Sequence, residues 1–113
     1  MHEYSIVQAL IERVEAEARS RRAGAVHHVR VGVGELAGVD PTLLSTAYYT
    51  FRPCTICANA ELTLRPIAAL WSCPRCELSI PAGAPLRCPA CARPARLLQG
   101  EELVLESLEL EVP

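Results

Sequence analysis

The six cysteines of this 113-residue chain all fall in C-x-x-C pairs: Cys54–Cys57, Cys73–Cys76 and Cys88–Cys91. A C-x-x-C turn sets two thiolates on one edge of a metal, with backbone amides directed at the sulfurs, and two such turns complete a tetrahedral shell. Cys73-Pro74-Arg75-Cys76 and Cys88-Pro89-Ala90-Cys91 are separated by 11 residues, and each has a proline after its first cysteine that fixes the backbone there. Four sulfurs suit Zn²⁺ and leave no coordination position for a substrate. A mononuclear iron site takes the same ligands; zinc is preferred because a closed structural site asks nothing of redox chemistry. Zinc is therefore assigned to Cys73, Cys76, Cys88 and Cys91, with the thiolates expected to be enclosed on all sides and slow to exchange.

Cys54-Thr55-Ile56-Cys57 stands in a different context. A thioredoxin-type dithiol follows a strand and opens a helix, whose N-terminus lowers a thiol pKa; here the pair follows a predicted helix and precedes a predicted strand. A second metal site and a reversible disulfide stay open, but two cysteines of a connecting loop is the preferred reading. The N-terminus has neither the basic start nor the apolar stretch of a secretory signal, and no apolar run approaches the roughly 20 residues that span a bilayer. The expectation is a reducing cytoplasm, where paired cysteines point to metal binding or redox chemistry rather than to a disulfide framework.

Around the cysteine module the pattern is that of a small α+β domain. Ser5-Ile6-Val7-Gln8 reads as a capping box, predicting a helix from Ser5 that stops at Gly24, with Ile6, Val7, Leu10, Val14 and Ala18 on one side. From Val26 to Val33 the period changes to two, with Val29, Val31 and Val33 on one face and His28, Arg30 and Gly32 on the other. Asp40-Pro41 supplies an N-cap and first residue for a second helix carrying Leu44, Ala47, Tyr48 and Phe51 and ending at Arg52-Pro53. Ala60–Arg65 predicts a strand with Leu62 and Leu64 inward. Leu103–Val112 predicts another, in which Leu108, Leu110, Val112 and Val104 share one parity while Leu103 and Leu105 break it. The expected architecture has two helices and a three-stranded mixed sheet in residues 1–69 plus 101–113, with a zinc-ribbon-like four-cysteine module, residues 70–100, inserted between strands.

Met1-His2-Glu3 is the second feature with chemistry in it. A free amine, the amide nitrogen of His2 and its Nδ1 can chelate one metal in fused rings, and the amide of Glu3 offers a fourth nitrogen; such a donor set favours Ni(II) or Cu(II) over Zn(II). His27 and His28, at the start of a strand, read as ordinary surface residues. Taken in order, Met-His-Glu-Tyr-Ser opening a helix, Gly34-Glu35-Leu36-Ala37-Gly38-Val39, Ala47-Tyr48, Ala60-Glu61-Leu62 and the two cysteine turns resemble the HypA/HybF family of nickel metallochaperones along essentially the whole chain.

That resemblance implies a carrier of nickel for maturation of [NiFe]-hydrogenase, working with a HypB-type GTPase to load the hydrogenase large subunit and, in some members, serving urease and its accessory proteins. It implies nickel as cargo at Met1, His2 and Glu3, and a separate structural zinc on Cys73, Cys76, Cys88 and Cys91. Three departures stand out: Cys54 falls where the family has a Gly before Thr55, Cys57 is outside the pattern, and the loop between the two cysteine turns is slightly shorter than the family's. The implied protein is not an enzyme, which agrees with the closed sulfur set and the absence of a recognisable nucleophile–base pairing. The alternative is a zinc-ribbon nucleic-acid module, since Arg75, Arg87, Arg93 and Arg96 outnumber Glu77 there. Against it stand a single aromatic in the module, Trp71, and a net charge of −2, which gives no long-range pull toward nucleic acid or an anionic membrane.

Overall fold

The computed structural model describes residues 2–81 and 83–113, with His2 as backbone alone. Helix α1 spans His2–Ser20, strand β1 Ala25–Gly34, helix α2 Pro41–Phe51 and strand β2 Glu61–Ile67; three short strands follow, β3 Leu70–Ser72, β4 Ser79–Ile80 and β5 Arg96–Gln99, and β6 covers Leu103–Glu111. The strands form two three-stranded sheets, ordered β2-β1-β6 and β4-β3-β5. In the first, β1 is central, parallel to β2 and antiparallel to β6. The expected two helices on a mixed sheet, with a cysteine module between strands, are what the chain forms.

Both helices cover one face of the first sheet. Val7, Ile11, Val14 and Ala18 recur at helical spacing along α1 and are buried against Val26, Val29, Val31 and Val33 of β1 and Leu44, Ala47 and Tyr48 of α2. Ile11, absent from the predicted stripe, belongs to this core. Asp40 caps α2 as expected, its Oδ1 accepting from the N–H groups of Thr42 at 2.9 Å and Leu43 at 3.2 Å. The Tyr48 hydroxyl, wholly buried, donates to the Ala60 carbonyl at 3.0 Å and ties α2 to the start of β2.

Three expectations need correction. Helix α1 starts at His2, a turn before the predicted cap at Ser5, and Tyr4 in that extra turn meets Phe51 edge-on with ring centroids 5.1 Å apart. A tertiary contact thus holds a turn that the local signal placed outside the helix. At the other end α1 stops at Ser20, because Arg22 takes the left-handed conformation (φ 56°) and the Ala23 N–H bonds back to the Ala18 carbonyl at 2.8 Å. Gly24 is left to begin the sheet, donating to Glu111 O at 2.9 Å.

The third correction is the parity of β6. Leu103, Leu105, Leu108 and Leu110 all pack toward the core, whereas Val104 is 40% exposed and Val112 lies beyond the strand. Between the pairings Arg30–Ser107 and Val31–Leu105 the register slips by one residue, so a bulge reverses the alternation and puts both leucine pairs on one face. A second slip, between Val26 and His28, likewise lets Val26 and Val29 both point inward. The opposite face carries ionic pairs: Arg30 donates to Glu109 at 2.6 Å, and Arg65 of β2 reaches Glu106 of β6 across the central strand. That crossing passes over Gly32, where an added Cβ would stand 3.1 Å from Glu106 Oε2 and 2.5 Å from Ile67 Cδ1.

The free edge of β2 is interrupted near both of its ends. Because the Leu62 N–H donates to the Tyr49 hydroxyl at 2.9 Å, it points away from β1, and Pro66, four residues on with the same parity, has no N–H to offer. The molecule is long, with extents of 55 × 30 × 17 Å and a radius of gyration of 17.8 Å. A compact chain of this length would have a radius near ~13 Å; the second sheet projects from the first.

Candidate metal centre

The Sγ atoms of Cys73, Cys76, Cys88 and Cys91 all lie within 4.8 Å of one another, and among the described residues this is the one group of three or more side chains able to hold a metal ion together. A tetrahedron of sulfurs at about 2.3 Å from a central ion has edges near ~3.8 Å. The donors therefore fit a four-coordinate thiolate-binding ion, and the Cys73–Cys91 pair stands at 3.5 Å.

The two halves of the cage are built alike. The N–H of Glu77 bonds the Cys73 carbonyl at 3.0 Å, and the N–H of Ala92 bonds the Cys88 carbonyl at 2.9 Å. The N–H of Cys73 in turn donates to Leu78 O at 3.0 Å, and that of Cys88 to Arg93 O at 2.8 Å. Each turn closes through a left-handed residue just after its second cysteine, Glu77 at φ 58° and Ala92 at φ 60°. Backbone N–H groups point at the first sulfur of each turn: Arg75 and Cys76 at Cys73 Sγ (3.4 and 3.3 Å), and Ala90 at Cys88 Sγ (3.4 Å).

The electrostatic consequence is uneven. The Cys76 N–H, more than any other group, favours the thiolate at Cys73 and brings that thiol down to about 6; the sulfur of Cys91 pushes Cys76 up to about 12. Four sulfurs packed this closely cannot all ionise alone; a divalent cation held by Cys73, Cys76, Cys88 and Cys91 would resolve the conflict by taking all four as thiolates. Cys73 and Cys88 are buried and Cys91 half-buried, but Cys76 is exposed. The expectation of thiolates enclosed on every side is therefore wrong at one corner. The first turn joins β3 to β4, and Trp71 of β3 pairs with Ile80 of β4 and Leu97 of β5.

The third pair is split by the fold. Cys54 is exposed and left-handed (φ 66°), whereas Cys57 is fully buried in the core beside Tyr48. Burial pushes the Cys57 thiol up, and a hydrogen bond with Tyr48 opposes the shift. The loop is shaped by Thr55, whose hydroxyl donates to Arg52 O at 2.7 Å and accepts from the Cys57 N–H at 3.0 Å. The pair is thus a surface loop residue and a core residue. His27 and His28 sit on the outer sheet face, His27 Nε2 at 3.3 Å from Glu111 Oε1 and His28 Nε2 at 2.5 Å from Thr63 Oγ1.

Of the N-terminal trio, Met1 and the side chain of His2 lie outside the described residues. Glu3 is in the first turn of α1. The amide nitrogens of His2 and Glu3 fall where a helix has no preceding carbonyl to accept from them, so ligation there competes with no intrahelical bond.

A family model described as hydrogenase/urease nickel incorporation, metallochaperone, HypA matches residues 1–110. The chain belongs to the HypA family. It is 43% identical over 115 residues to the hydrogenase maturation factor HypA of Shewanella sp. (strain MR-7), covering 98% of this chain and 96% of the relative. To the Aquifex aeolicus (strain VF5) protein of the same name it is 38% identical over 114 residues, covering 99% of each. The solution structure of the Ni metallochaperone HypA from Helicobacter pylori superposes with a TM-score of 0.76 at 30% identity, over 98% of both chains. A second HypA solution structure gives 0.81 at 32% identity, over 100% of this chain and 98% of the other. HypA membership makes this a nickel metallochaperone of hydrogenase maturation, and no described helix is long and apolar enough to cross a membrane.

Proposed function

We propose that this chain binds Ni(II) through Met1, His2 and Glu3 and delivers it for maturation of [NiFe]-hydrogenase, while Cys73, Cys76, Cys88 and Cys91 hold a structural Zn(II). The observation that carries the reading is the span of the HypA match, residues 1–110, which takes in both the Met-His-Glu start and all four cage cysteines. The sulfur cage supports zinc through its ligand count and spacing, with every position filled by protein. Such a centre braces a fold and has no place for a substrate, so the chain acts as a carrier and not as an enzyme.

Nickel at the chain end has one side open to an acceptor's ligands, and transfer proceeds by ligand exchange. Its nitrogen ligands must be deprotonated to bind, which couples affinity to pH; acidification releases nickel before zinc. The partners that fit this cycle are a HypB-type GTPase and the hydrogenase large subunit, with the urease system as a further acceptor. The reaction belongs in the cytoplasm, where the thiols stay reduced.

Nickel titration of the native chain against His2→Ala, with metal content measured before and after, tests the assignment. Zinc at one per chain in both proteins and nickel binding lost in the mutant is the expected result. Equal nickel uptake by the two would remove His2 from the site. An extra residue placed before Met1 is expected to weaken nickel binding by separating amine from imidazole.

A further inference from the structure

The turn Gly34-Glu35-Leu36 does more than end β1. The chain leaves the first sheet through residues 67–70, forms the cysteine module, and returns through residues 99–103; the turn lies between these two connectors and bonds both. On the outgoing side the Glu35 N–H donates to Ile67 O at 2.9 Å, and the Glu35 carboxylate accepts from the Ala69 N–H at 2.8 Å. On the returning side the Gly34 N–H donates to Glu102 O at 2.9 Å and the Leu36 N–H to Gly100 O at 2.7 Å. The connectors are also tied to each other, Gln99 Nε2 donating to Ala68 O at 3.1 Å.

Their approach is as close as backbone allows. A Cβ on Gly34 would collide with the Gly100 carbonyl, and one on Gly100, which is left-handed at φ 100°, would stand 2.6 Å from Ala69 Cα. Side-chain packing is thin around this crossing: open grooves of about 580 Å³ and about 390 Å³ lie against it, the first lined by Val39, Pro41 and Leu64, the second by Arg65, Leu98 and Val104. No residue of the second sheet belongs to the core cluster, and the hydrogen bonds above are what join the two sheets at this crossing. Glu35 is the only side chain of the turn that takes part.

The joint lies at the end of β1 toward which α1 directs its N-terminal half. Helix α1 returns into β1 through a short turn and so runs against it, which brings its N-terminal half to the β1 end that carries Gly34. Ile6 and Leu10 line one cavity with Val31, Leu103 and Leu105. A change of angle at the joint moves the cysteine module relative to the helix on which His2 and Glu3 stand.

We infer that Glu35 is a latch: its carboxylate, clasping the Ala69 N–H while the turn's backbone holds Gly100 and Glu102, fixes the orientation of the cysteine module on the α+β sheet. The inference goes beyond metal carriage and holds whether or not nickel binds at the N-terminus. It assigns Glu35 a positioning role through geometry, so a neutral side chain that keeps an acceptor oxygen at the same place must substitute for it.

The test uses the full zinc-loaded chain, with N–H residual dipolar couplings to report orientation and amide exchange to report the bond. In the native protein one alignment tensor fits both sheets. In Glu35→Ala the two sheets require separate tensors and exchange at Ala69 rises about tenfold, with zinc still at one per chain; Glu35→Gln restores both readouts. Gly100→Ala, which pushes on the same crossing from the returning strand, separates the tensors as well and covers the case in which Glu35→Ala does not fold. A single shared tensor and unchanged Ala69 protection in the foldable variants overturn the latch. Loss of zinc together with Glu35 overturns it too, since Glu35 would then belong to the module's own fold.

Discussion

The two sheets of this chain are held by different physics. The β2-β1-β6 sheet rests on a core of Val, Leu, Ile and Ala drawn from α1, β1 and α2, with Tyr48 the one large aromatic buried at its centre. Each such aliphatic side chain contributes about 1.5–3 kcal/mol when fully buried. In the module built on the β4-β3-β5 sheet the buried side chains among the described residues are Ser72, Cys73, Ile80 and Cys88, and two of these four are cysteines of the cage. Its strands have two to four residues. Apolar burial cannot offset the ordering of that backbone, which costs roughly 1–2 kcal/mol per residue; the cage must do so. On this ledger one half has the core of an ordinary small domain, and the other would need a bound ion to fold. We propose the division at residues 1–69 plus 101–113 and 70–100 on that ground.

The comparison breaks most decisively if the ion is taken away. Stripping the cage with a strong chelator, or replacing Cys73 by Ser, is expected to collapse the amide dispersion of residues 70–100 while β1, β2 and β6 keep theirs; structural zinc supplies about 10–16 kcal/mol of folding free energy in small modules. Two-dimensional amide spectra read this directly, and a module that keeps its spectrum without metal would put it in the same class as its neighbour. The reciprocal change is Leu44→Ala, which empties a fully buried core site and is expected to cost the α+β half about 2–5 kcal/mol in denaturant unfolding. The cage's Co(II) absorption should be untouched at denaturant levels that leave the variant folded.

The halves should also differ in which end of the pH scale they fear. Cys57 has its folded-state pKa raised by burial, so its contribution is complete below the ordinary thiol pKa and is lost as pH rises through the folded value. Alkaline pH therefore weakens the α+β half, an effect that Cys57→Ala reduces, leaving the part due to the Tyr48 hydroxyl, which burial also pushes up. The module fails in acid, where protons compete with the ion for the sulfurs. Metal release and core unfolding followed across pH in one sample would show the two trends, and coincident curves would erase the distinction. The smallest expected effect is a backbone one shared by both halves. Cys54 in the loop after α2, and Glu77 and Ala92 in the cysteine turns, are left-handed without being glycine. Cys54→Gly is expected to gain about 0.5–1 kcal/mol against denaturant, and Ala92→Gly a similar amount in the zinc-loaded module only.

The cage was legible because its signal is local: each C-x-x-C turn closes within a few residues, and the pair of turns has one sensible use. The helical stripe of α1, the alternation of β1 and the cap at Asp40 were legible for the same reason, since each is a pattern of near neighbours that repeats with the period of its backbone. The sequence could even mark Cys54 as out of place, and the left-handed φ found there is the reason a glycine suits that position.

What tertiary structure decided lay between segments far apart in the chain. The start of α1 moved to His2 with Phe51 packed on Tyr4. The parity of β6 was set by a bulge against Arg30 and Val31, so that Leu103 and Leu105 reached the same core as Leu108 and Leu110. The separation of Cys54 from Cys57 came from burying one beside Tyr48, and the exposure of Cys76 from the shallow module around it. The role of Glu35 appears only when Ala69 and Gly100 are brought to the same turn. Local periodicity and ligand spacing are written in adjacent residues, whereas registers, bulges and joints depend on which distant surfaces meet, and that is settled by packing the whole chain at once.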